Sequence, residues 1–309
     1  MYIKLPPDLN QKFLPEPSWR QHSFVNPETN HAIAYSSMFS VENKKNILIL
    51  PGLSEFSEKY IETASFFFNH GFNVYVIDWA YQGRSIRLEK NYQKRHSDGY
   101  DTDLSDLNFM ITTYIGKQKP LFILAHSMGS HIAMRYLSEF DHFVKAVSLS
   151  APMLKIKHLA LGQNSSLLLA QALSKFGYLY VPGGKNWSSK SRGVKDKDVF
   201  SSDPIRKELH REWSAADEQL RLGSPTVRWL RETLISMTKL RKNYHKIKIP
   251  AIFTMSGLED IIDNREIKLA AGLAPNSTLL EYKNAKHEIL METDNIRDDF
   301  LNKTLELFN

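Results

Sequence analysis

Ser127 lies where an apolar strand pattern changes into an amphipathic helix pattern, within the letters FILAHSMGSHIAMRYL. A serine in such a turn exposes its hydroxyl at the end of the strand. The turn closes only if the residues two before and two after it are small. Ala125 and Gly129 occupy these positions, so the segment matches G-x-S-x-G with alanine for the first glycine. The pattern predicts a nucleophilic serine.

A serine nucleophile of this kind is followed along the chain first by its acid and then by its histidine. After an apolar run that ends near Met255 come the letters SGLEDIID, in which Asp260 is the predicted acid. Asp263 and Glu259 remain alternatives, because a sequence does not show which carboxylate faces the histidine. His287, in a loop after the last strand pattern, is the predicted general base.

Acyl transfer to serine also needs backbone N–H donors for the oxygen that becomes negative in the tetrahedral intermediate. One donor belongs to the residue after the nucleophile, here Met128, and the other to the loop LPGLSEFSEKY, where we expect Leu53. The predicted chemistry is a two-step transfer of an acyl group to water. It requires no metal and no organic cofactor.

The elements that must position these residues alternate in type, which predicts an α/β fold with a mostly parallel sheet flanked by helices. Short runs rich in Ile, Leu, Val and Phe suit strands covered on both faces. They lie at 46–50, 72–77, 121–125, 144–149, 250–255 and 278–282. Helical patterns lie at 58–70, 104–115, 128–140, 265–272 and 296–307, and residues 22–41 suggest an antiparallel hairpin.

About a hundred residues between the strand that ends near Ser150 and the next strand show helical patterns and loops but no convincing strand. We predict a core domain formed by 1–153 and 246–309, with a mainly helical cap inserted at 154–245. Residues 155–245 hold 17 Lys and Arg against 8 Asp and Glu, so they carry +9 and the rest of the +6 chain carries −3. A basic cap can attract anionic lipid headgroups, through peripheral contact with an anionic membrane, or phosphate-bearing substrates; a solvated lysine-rich surface is the alternative.

Composition sets limits on the other functions. The 309 residues are 42% hydrophobic, enough for one large core, and contain no cysteine, which excludes disulfides and thiolate metal sites. The first 19 residues hold four prolines and no apolar stretch typical of a signal peptide. We therefore expect a cytoplasmic protein that can contact the inner face of the membrane. No nucleic-acid module is recognisable, which argues against that partner.

Several motifs in one order add a resemblance. Residues 51–60 (PGLSEFSEKY) are similar to HGxxEHxxRY, and 78–85 (DWAYQGRS) to D-x-R-G-x-G-x-S. With 125–129 (AHSMG) and 285–292 (AKHEILME), the chain resembles the α/β-hydrolase family of bacterial lysophospholipases and monoacylglycerol lipases, also described as serine aminopeptidase-like hydrolases. The resemblance implies an α/β-hydrolase fold and a serine esterase that acts on lipids.

Within that family, the letters SDP at 202–204 and GSPTVRWL at 223–230 most resemble the lysophospholipase branch. The resemblance therefore implies hydrolysis of a lysophospholipid to a fatty acid and a glycerophosphodiester. In the cap, Trp229, Leu168 and Phe176 are the candidates for contact with the substrate. Alternatives are a monoacylglycerol lipase, a general carboxylesterase, an aminopeptidase, or a hydrolase-fold protein that binds a ligand without catalysis.

The motifs also depart from the family pattern. Pro51 replaces the usual histidine of the oxyanion loop, Ala80 and Tyr81 replace arginine and glycine, and Ser130 replaces the second glycine after the nucleophile. None of these changes removes a catalytic atom. They leave substrate preference open, because both loops shape the pocket.

Overall fold

The computed structural model describes residues 4–159, 161–189 and 198–309. These residues form one eight-stranded sheet in the order β1-β2-β4-β3-β5-β6-β7-β8. Strands β1, β2 and β4 pair antiparallel, and every pairing from β4 through β3 to β8 is parallel. The strands are β1 (Trp19–Val25), β2 (Ala32–Met38), β3 (Lys45–Leu50), β4 (Phe72–Ile77), β5 (Leu121–His126), β6 (Val144–Ser150), β7 (Ala251–Ser256) and β8 (Ser277–Tyr282). The predicted mostly parallel sheet is confirmed.

Eight α-helices accompany the sheet within the described ranges. They are α1 (Ile61–Asn69), α2 (Tyr100–Phe109), α3 (Met128–Glu139), α4 (Gly162–Ala172), α5 (Leu209–Ala216), α6 (Val227–Arg241), α7 (Asn264–Leu273) and α8 (Asp294–Phe308). Two predicted helices differ in detail, because the first starts as a 3-10 turn at Ser57–Tyr60 and α2 continues as the π-helical turn Met110–Ile115. None of the helices described is long and apolar enough to cross a membrane.

The apolar strands have continuous hydrophobic sequences because both faces of the sheet are covered. Successive side chains point to opposite faces, so Leu48 and Leu50 join one buried cluster while Ile47 and Ile49 join the other. The first cluster packs under α2, α3 and α6, and the second under α1 and α8. This two-sided packing fixes the strand ends, from which the loops of the site begin.

The stretch between β6 and β7 contains α4, α5 and α6 and, in the parts that the structure describes, no strand. Isolated bridges between this stretch and the rest of the chain pair Ile156 with Ile262 and Arg95 with Pro225. The proposed cap 154–245 includes Ala160 and residues 190–197, which lie outside the described residues. The division of the chain at 153 and 246 stays a prediction.

Candidate active site

Ser127 joins β5 to α3 in a strained conformation, with φ +50° and ψ −111°. Its own N–H donates to the Ser150 carbonyl on the neighbouring strand β6 at 2.9 Å. Gly129 makes the close approach possible, because a Cβ atom there would lie 2.1 Å from the Leu50 carbonyl oxygen. Strain of this kind persists where the surrounding structure holds it, and it is typical of functional sites. The turn has the geometry expected of a nucleophile.

Ser127 is hydrogen-bonded to a histidine and, through it, to a carboxylate. The Ser127 Oγ lies 2.9 Å from His287 Nε2, and His287 Nδ1 lies 2.8 Å from Glu259 Oε2. All three residues are buried, at 6%, 4% and 6% exposure respectively. If Nδ1–H donates to Glu259, then Nε2 is left to accept the serine proton. The arrangement can activate the serine hydroxyl.

Glu259 is held by more than the histidine. Its Oε1 accepts the N–H of Ile261 at 2.8 Å and that of Ile262 at 3.3 Å. Burial raises the pKa of this carboxyl, but His287 and the two backbone donors outweigh it and leave the pKa below its usual value. Glu259 is therefore a carboxylate at neutral pH, fixed in the orientation that holds the imidazole.

The prediction that Asp260 partners His287 is wrong. The Asp260 side chain is 53% exposed, and its Oδ1 lies 2.8 Å from His158 Nε2 and 3.1 Å from Lys157 Nζ. Neighbouring side chains in this tight turn point in different directions, and the backbone N–H groups beyond it turn Glu259 inward. One of the two open alternatives, Glu259, therefore faces the histidine.

The other alternative, Asp263, belongs to a helix end. Its side chain accepts the N–H of Arg265 as the N-cap of α7, and it also bonds the Arg265 guanidinium at 2.7 Å. The sequence carried a signal for this role, because Glu266 follows three residues later, as in a capping box. No comparable signal separates Glu259 from Asp260.

Leu53 and Met128 are the two residues predicted to stabilise the oxyanion. Leu53 lines the same cavity as Ser127 and His287. Met128 is the first residue of α3, so its N–H is among those at a helix start that have no partner within the helix. Gln82 supports the Leu53 loop: its Nε2 donates to the carbonyls of Gly52 and Glu55, each at 2.9 Å. The oxyanion roles of Leu53 and Met128 remain predictions.

A cavity of about 680 Å³ opens onto Ser127 and His287. Much of its wall is apolar, from Leu53, Met153, Ile156, Leu222, Phe200, Ile262 and Trp229. Lys185, Asn186 and Ser224 give part of the wall a polar character. Sequence reasoning did not single out Met153, Phe200 or Ile262 as cavity residues, because an apolar residue in a loop looks the same whether it packs or lines a pocket.

Of the three cap candidates, Trp229 lies at this cavity and is 4% exposed. Leu168 and Phe176 do not line it, and they are 67% and 57% exposed. The structure contradicts a place for these two in an acyl-binding wall. In α4 only Ala170 is buried, so most of the apolar residues of that helix face outward. The apolar letters of this segment do not show which face of the helix is covered.

Beside the serine, Glu55, His126 and Glu288 place potential metal ligand atoms within 4.8 Å of one another. The Lys59 ammonium bonds both carboxylates, at 2.5 Å from Glu55 and 2.7 Å from Glu288. Burial lowers the pKa of His126 to about 4, so its imidazole is neutral at physiological pH. A protein cation thus already occupies the position between these carboxylates.

Known proteins are similar to this chain over most of its length. A family model described as serine aminopeptidase, S33, matches residues 41–294. The chain belongs to this family. It is 28% identical over 292 residues to a probable lysophospholipase L2 of Haemophilus influenzae, a match covering 93% of this chain and 91% of that protein. It is 29% identical over 274 residues to lysophospholipase L2 of Escherichia coli K12, covering 85% of this chain and 80% of the relative.

Solved structures agree on the fold. A soluble variant of monoglyceride lipase from Saccharomyces cerevisiae superposes with a TM-score of 0.73 at 18% identity, covering 97% of this chain and 98% of that one. A carboxyl esterase from Bacillus coagulans gives 0.75 at 18% identity, covering 95% and 99%. The α/β-hydrolase fold is confirmed, and so is the predicted resemblance to lysophospholipases and monoacylglycerol lipases. The chain is a serine hydrolase of this class.

Proposed function

We propose that the chain hydrolyses the carboxylic ester of lysophospholipids through Ser127, His287 and Glu259. His287 Nε2 takes the serine proton as the hydroxyl oxygen attacks the ester carbonyl, and Glu259 holds the resulting imidazolium. The N–H groups of Leu53 and Met128 receive the oxyanion. The imidazolium then protonates the departing glycerol oxygen, which leaves an acyl-enzyme. Water, deprotonated by His287, releases the fatty acid.

The observation that carries this proposal is the hydrogen-bonded chain from Ser127 Oγ through His287 to Glu259 Oε2, with bonds of 2.9 and 2.8 Å, in the wall of the cavity. A protein that only binds a ligand has no need of a strained serine hydrogen-bonded to a buried histidine and carboxylate. The lysophospholipase L2 relatives, which match over at least 80% of their length, support the choice of substrate class.

The cavity suits a substrate with one fatty chain and a polar head. A volume of about 680 Å³ lies within the range of pockets that take small ligands. The apolar wall around Trp229 would receive the acyl chain, where burial contributes roughly 25 cal/mol per Å² of apolar surface. Lys185, which is exposed at the cavity, offers a positive charge to a phosphodiester. A neutral monoacylglycerol has no group that would use this charge.

We also propose that the cap contacts an anionic membrane surface from the cytoplasmic side. Exposed apolar residues concentrate near α4 and the turn that follows it, namely Leu161, Leu168, Leu169, Phe176, Tyr178 and Leu179. The cap also carries the +9 charge that the sequence assigns to 155–245. Apolar side chains within a basic region suit the interface of a bilayer with anionic headgroups. This contact would bring the cavity to its lipid substrate.

Hydrolysis measured with four esters tests the reaction. Purified protein is given lysophosphatidylcholine, lysophosphatidylethanolamine, monoacylglycerol and a short p-nitrophenyl ester, with Ser127→Ala as the blank. We expect turnover of the two lysophospholipids that is lost in the variant. Preference for monoacylglycerol would indicate a lipase, and turnover of the short ester alone would indicate a general carboxylesterase. No turnover that depends on Ser127 would contradict the proposal.

A further inference from the structure

Lys59 is a buried lysine beside the active site that the reaction described above does not use. It lies in the 3-10 turn Ser57–Tyr60 just before α1 and is 2% exposed. Its ammonium bonds Glu55 Oε1 at 2.5 Å and Glu288 Oε2 at 2.7 Å. Lysine is rarely buried without a partner, and here it has two carboxylates from different loops. Its position between them calls for an explanation.

Glu55 connects Lys59 to the loop of the predicted oxyanion donor. The second oxygen of Glu55, Oε2, accepts the N–H of Gly52 at 2.5 Å and the hydroxyl of Tyr60 at 2.6 Å. Gly52 directly precedes Leu53, so these bonds fix the Pro51–Gly52 peptide, one before the peptide that carries the Leu53 N–H. A carboxylate that receives two donors on one oxygen and an ammonium on the other has little freedom to turn. Glu55 therefore holds the loop in one conformation.

Glu288 connects Lys59 to the loop of the general base. It directly follows His287 in the chain, and its N–H donates to the Phe200 carbonyl at 2.8 Å. The imidazole of His126, next to the nucleophile, lies with its ring centre 5.0 Å from that of His287. Lys59 thus joins the loops that carry the oxyanion donor and the base, beside the turn that carries the serine.

The charges make the lysine necessary. Glu55 and Glu288 are both buried, at 1% and 4% exposure, and close together. Neutral His126 supplies no compensating charge, since burial lowers its pKa to about 4. Two buried carboxylates with no cation between them repel each other and lose their solvation. Without Lys59, repulsion between the two carboxylates would push the two loops apart.

We propose that Lys59 is a positioning residue for catalysis: its ammonium holds the Leu53 loop and the His287 loop in fixed positions around Ser127. Lys59 does not line the cavity and would not touch the substrate. The inference rests on the proposed serine hydrolysis but not on the identity of the lipid. Because the oxyanion forms only in the transition state, a displaced Leu53 N–H lowers kcat and leaves KM nearly unchanged.

The test compares Lys59→Met, which keeps a similar length without charge, with Lys59→Arg, which keeps the charge. Two readouts are used: steady-state kinetics on a soluble p-nitrophenyl ester, and the rate at which a fluorophosphonate labels Ser127. Labelling needs an activated serine and the oxyanion donors but no natural substrate. It therefore separates failure of this inference from failure of the lysophospholipase assignment, which the four-ester panel decides.

We expect Lys59→Met to lower both kcat and the labelling rate by on the order of tenfold or more, with KM within about twofold. Lys59→Arg should recover most of the rate. Arg206→Met is the matched control, because Arg206 is equally buried and bonds Glu62 and Asp294 but does not line the cavity. It should lose thermal stability while a folded sample keeps its kcat.

Folding of each variant is checked by thermal unfolding, and Glu288→Gln serves if Lys59→Met does not fold. This change weakens the bond between Lys59 and the His287 loop at constant volume, and we expect a loss of kcat of about fivefold or more. Wild-type kcat and labelling in a folded Lys59→Met protein, or in Glu288→Gln, would overturn the proposal. So would an equal loss of kcat in folded Arg206→Met.

Discussion

Ser127, His287 and Glu259 at the end of the sheet are each at most 6% exposed, whereas Leu168 and Phe176 in the cap are 67% and 57% exposed. The first group is held by backbone donors and a strained turn, and the buried Lys59 lies beside it. The second has apolar side chains that the described chain leaves uncovered. The proposed catalytic residues are therefore held by contacts among the described residues of this chain, while the cap has an exposed apolar surface that we propose contacts a membrane.

Replacing the nucleophile is expected to have the largest effect on ester hydrolysis. Ser127→Ala removes the attacking oxygen and leaves the sheet and the cap as they are. We expect ester hydrolysis to fall by on the order of 10⁴-fold or more, and fluorophosphonate labelling to be lost. Steady-state kinetics and gel-based labelling measure both. Labelling that persists at another residue would place the reactive group elsewhere.

Trp229 is one of the cap residues at which the two regions meet, since it is buried and lines the cavity. Trp229→Leu should raise KM for a long-chain lysophospholipid about tenfold, because part of the apolar wall is removed. It should change kcat for p-nitrophenyl acetate by less than about twofold. Kinetics over a series of chain lengths would test this. Equal effects on the long and the short ester would show that Trp229 supports the fold and not the acyl chain.

A smaller effect, on stability, follows from the lowered pKa of Glu259. A carboxyl group whose pKa is lower in the folded than in the unfolded protein stabilises the fold at pH values above its unfolded pKa, which is about 4.5 here. That contribution is lost as the pH falls through the folded pKa. The difference in the free energy of unfolding between the parent protein and Glu259→Gln should therefore shrink below about pH 4.5. Urea unfolding of both proteins between pH 3 and 6 measures it. A difference that does not change with pH would contradict the assigned charge.

The smallest effect on catalysis is expected in the cap. Leu168→Ser with Phe176→Ser removes two exposed apolar side chains, so turnover of a soluble ester should stay within about twofold of the parent. Cosedimentation with anionic vesicles should weaken several-fold, and high salt should weaken it further. The matched control is Val41→Ser, which removes an exposed apolar residue of the core domain instead of the cap. Unchanged vesicle binding in the cap variant would refute the proposed membrane surface.

The same contrast explains what the sequence could predict. Ser127 and His287 could be predicted because small residues in a tight turn and a fixed chain order leave few candidates. Apolar runs located all of the central strands. The sequence did not distinguish Glu259 from Asp260 as the partner of the histidine. The direction of these adjacent side chains depends on hydrogen bonds from the backbone N–H groups of Ile261 and Ile262. Leu168 was misplaced because helical spacing shows that a face is apolar but not what covers it.

The role of Glu259 is tested by comparing Glu259→Gln with Asp260→Asn in the hydrolysis of a lysophospholipid. Each change replaces a carboxylate by its amide in neighbouring positions, so the pair is matched in chemistry and place. We predict that Glu259→Gln lowers kcat by about 10³-fold to 10⁴-fold, because the imidazole loses the partner that holds its tautomer. Asp260→Asn should keep kcat within about twofold. A large loss in Asp260→Asn with an active Glu259→Gln would contradict the hydrogen-bonded chain on which the proposed function rests.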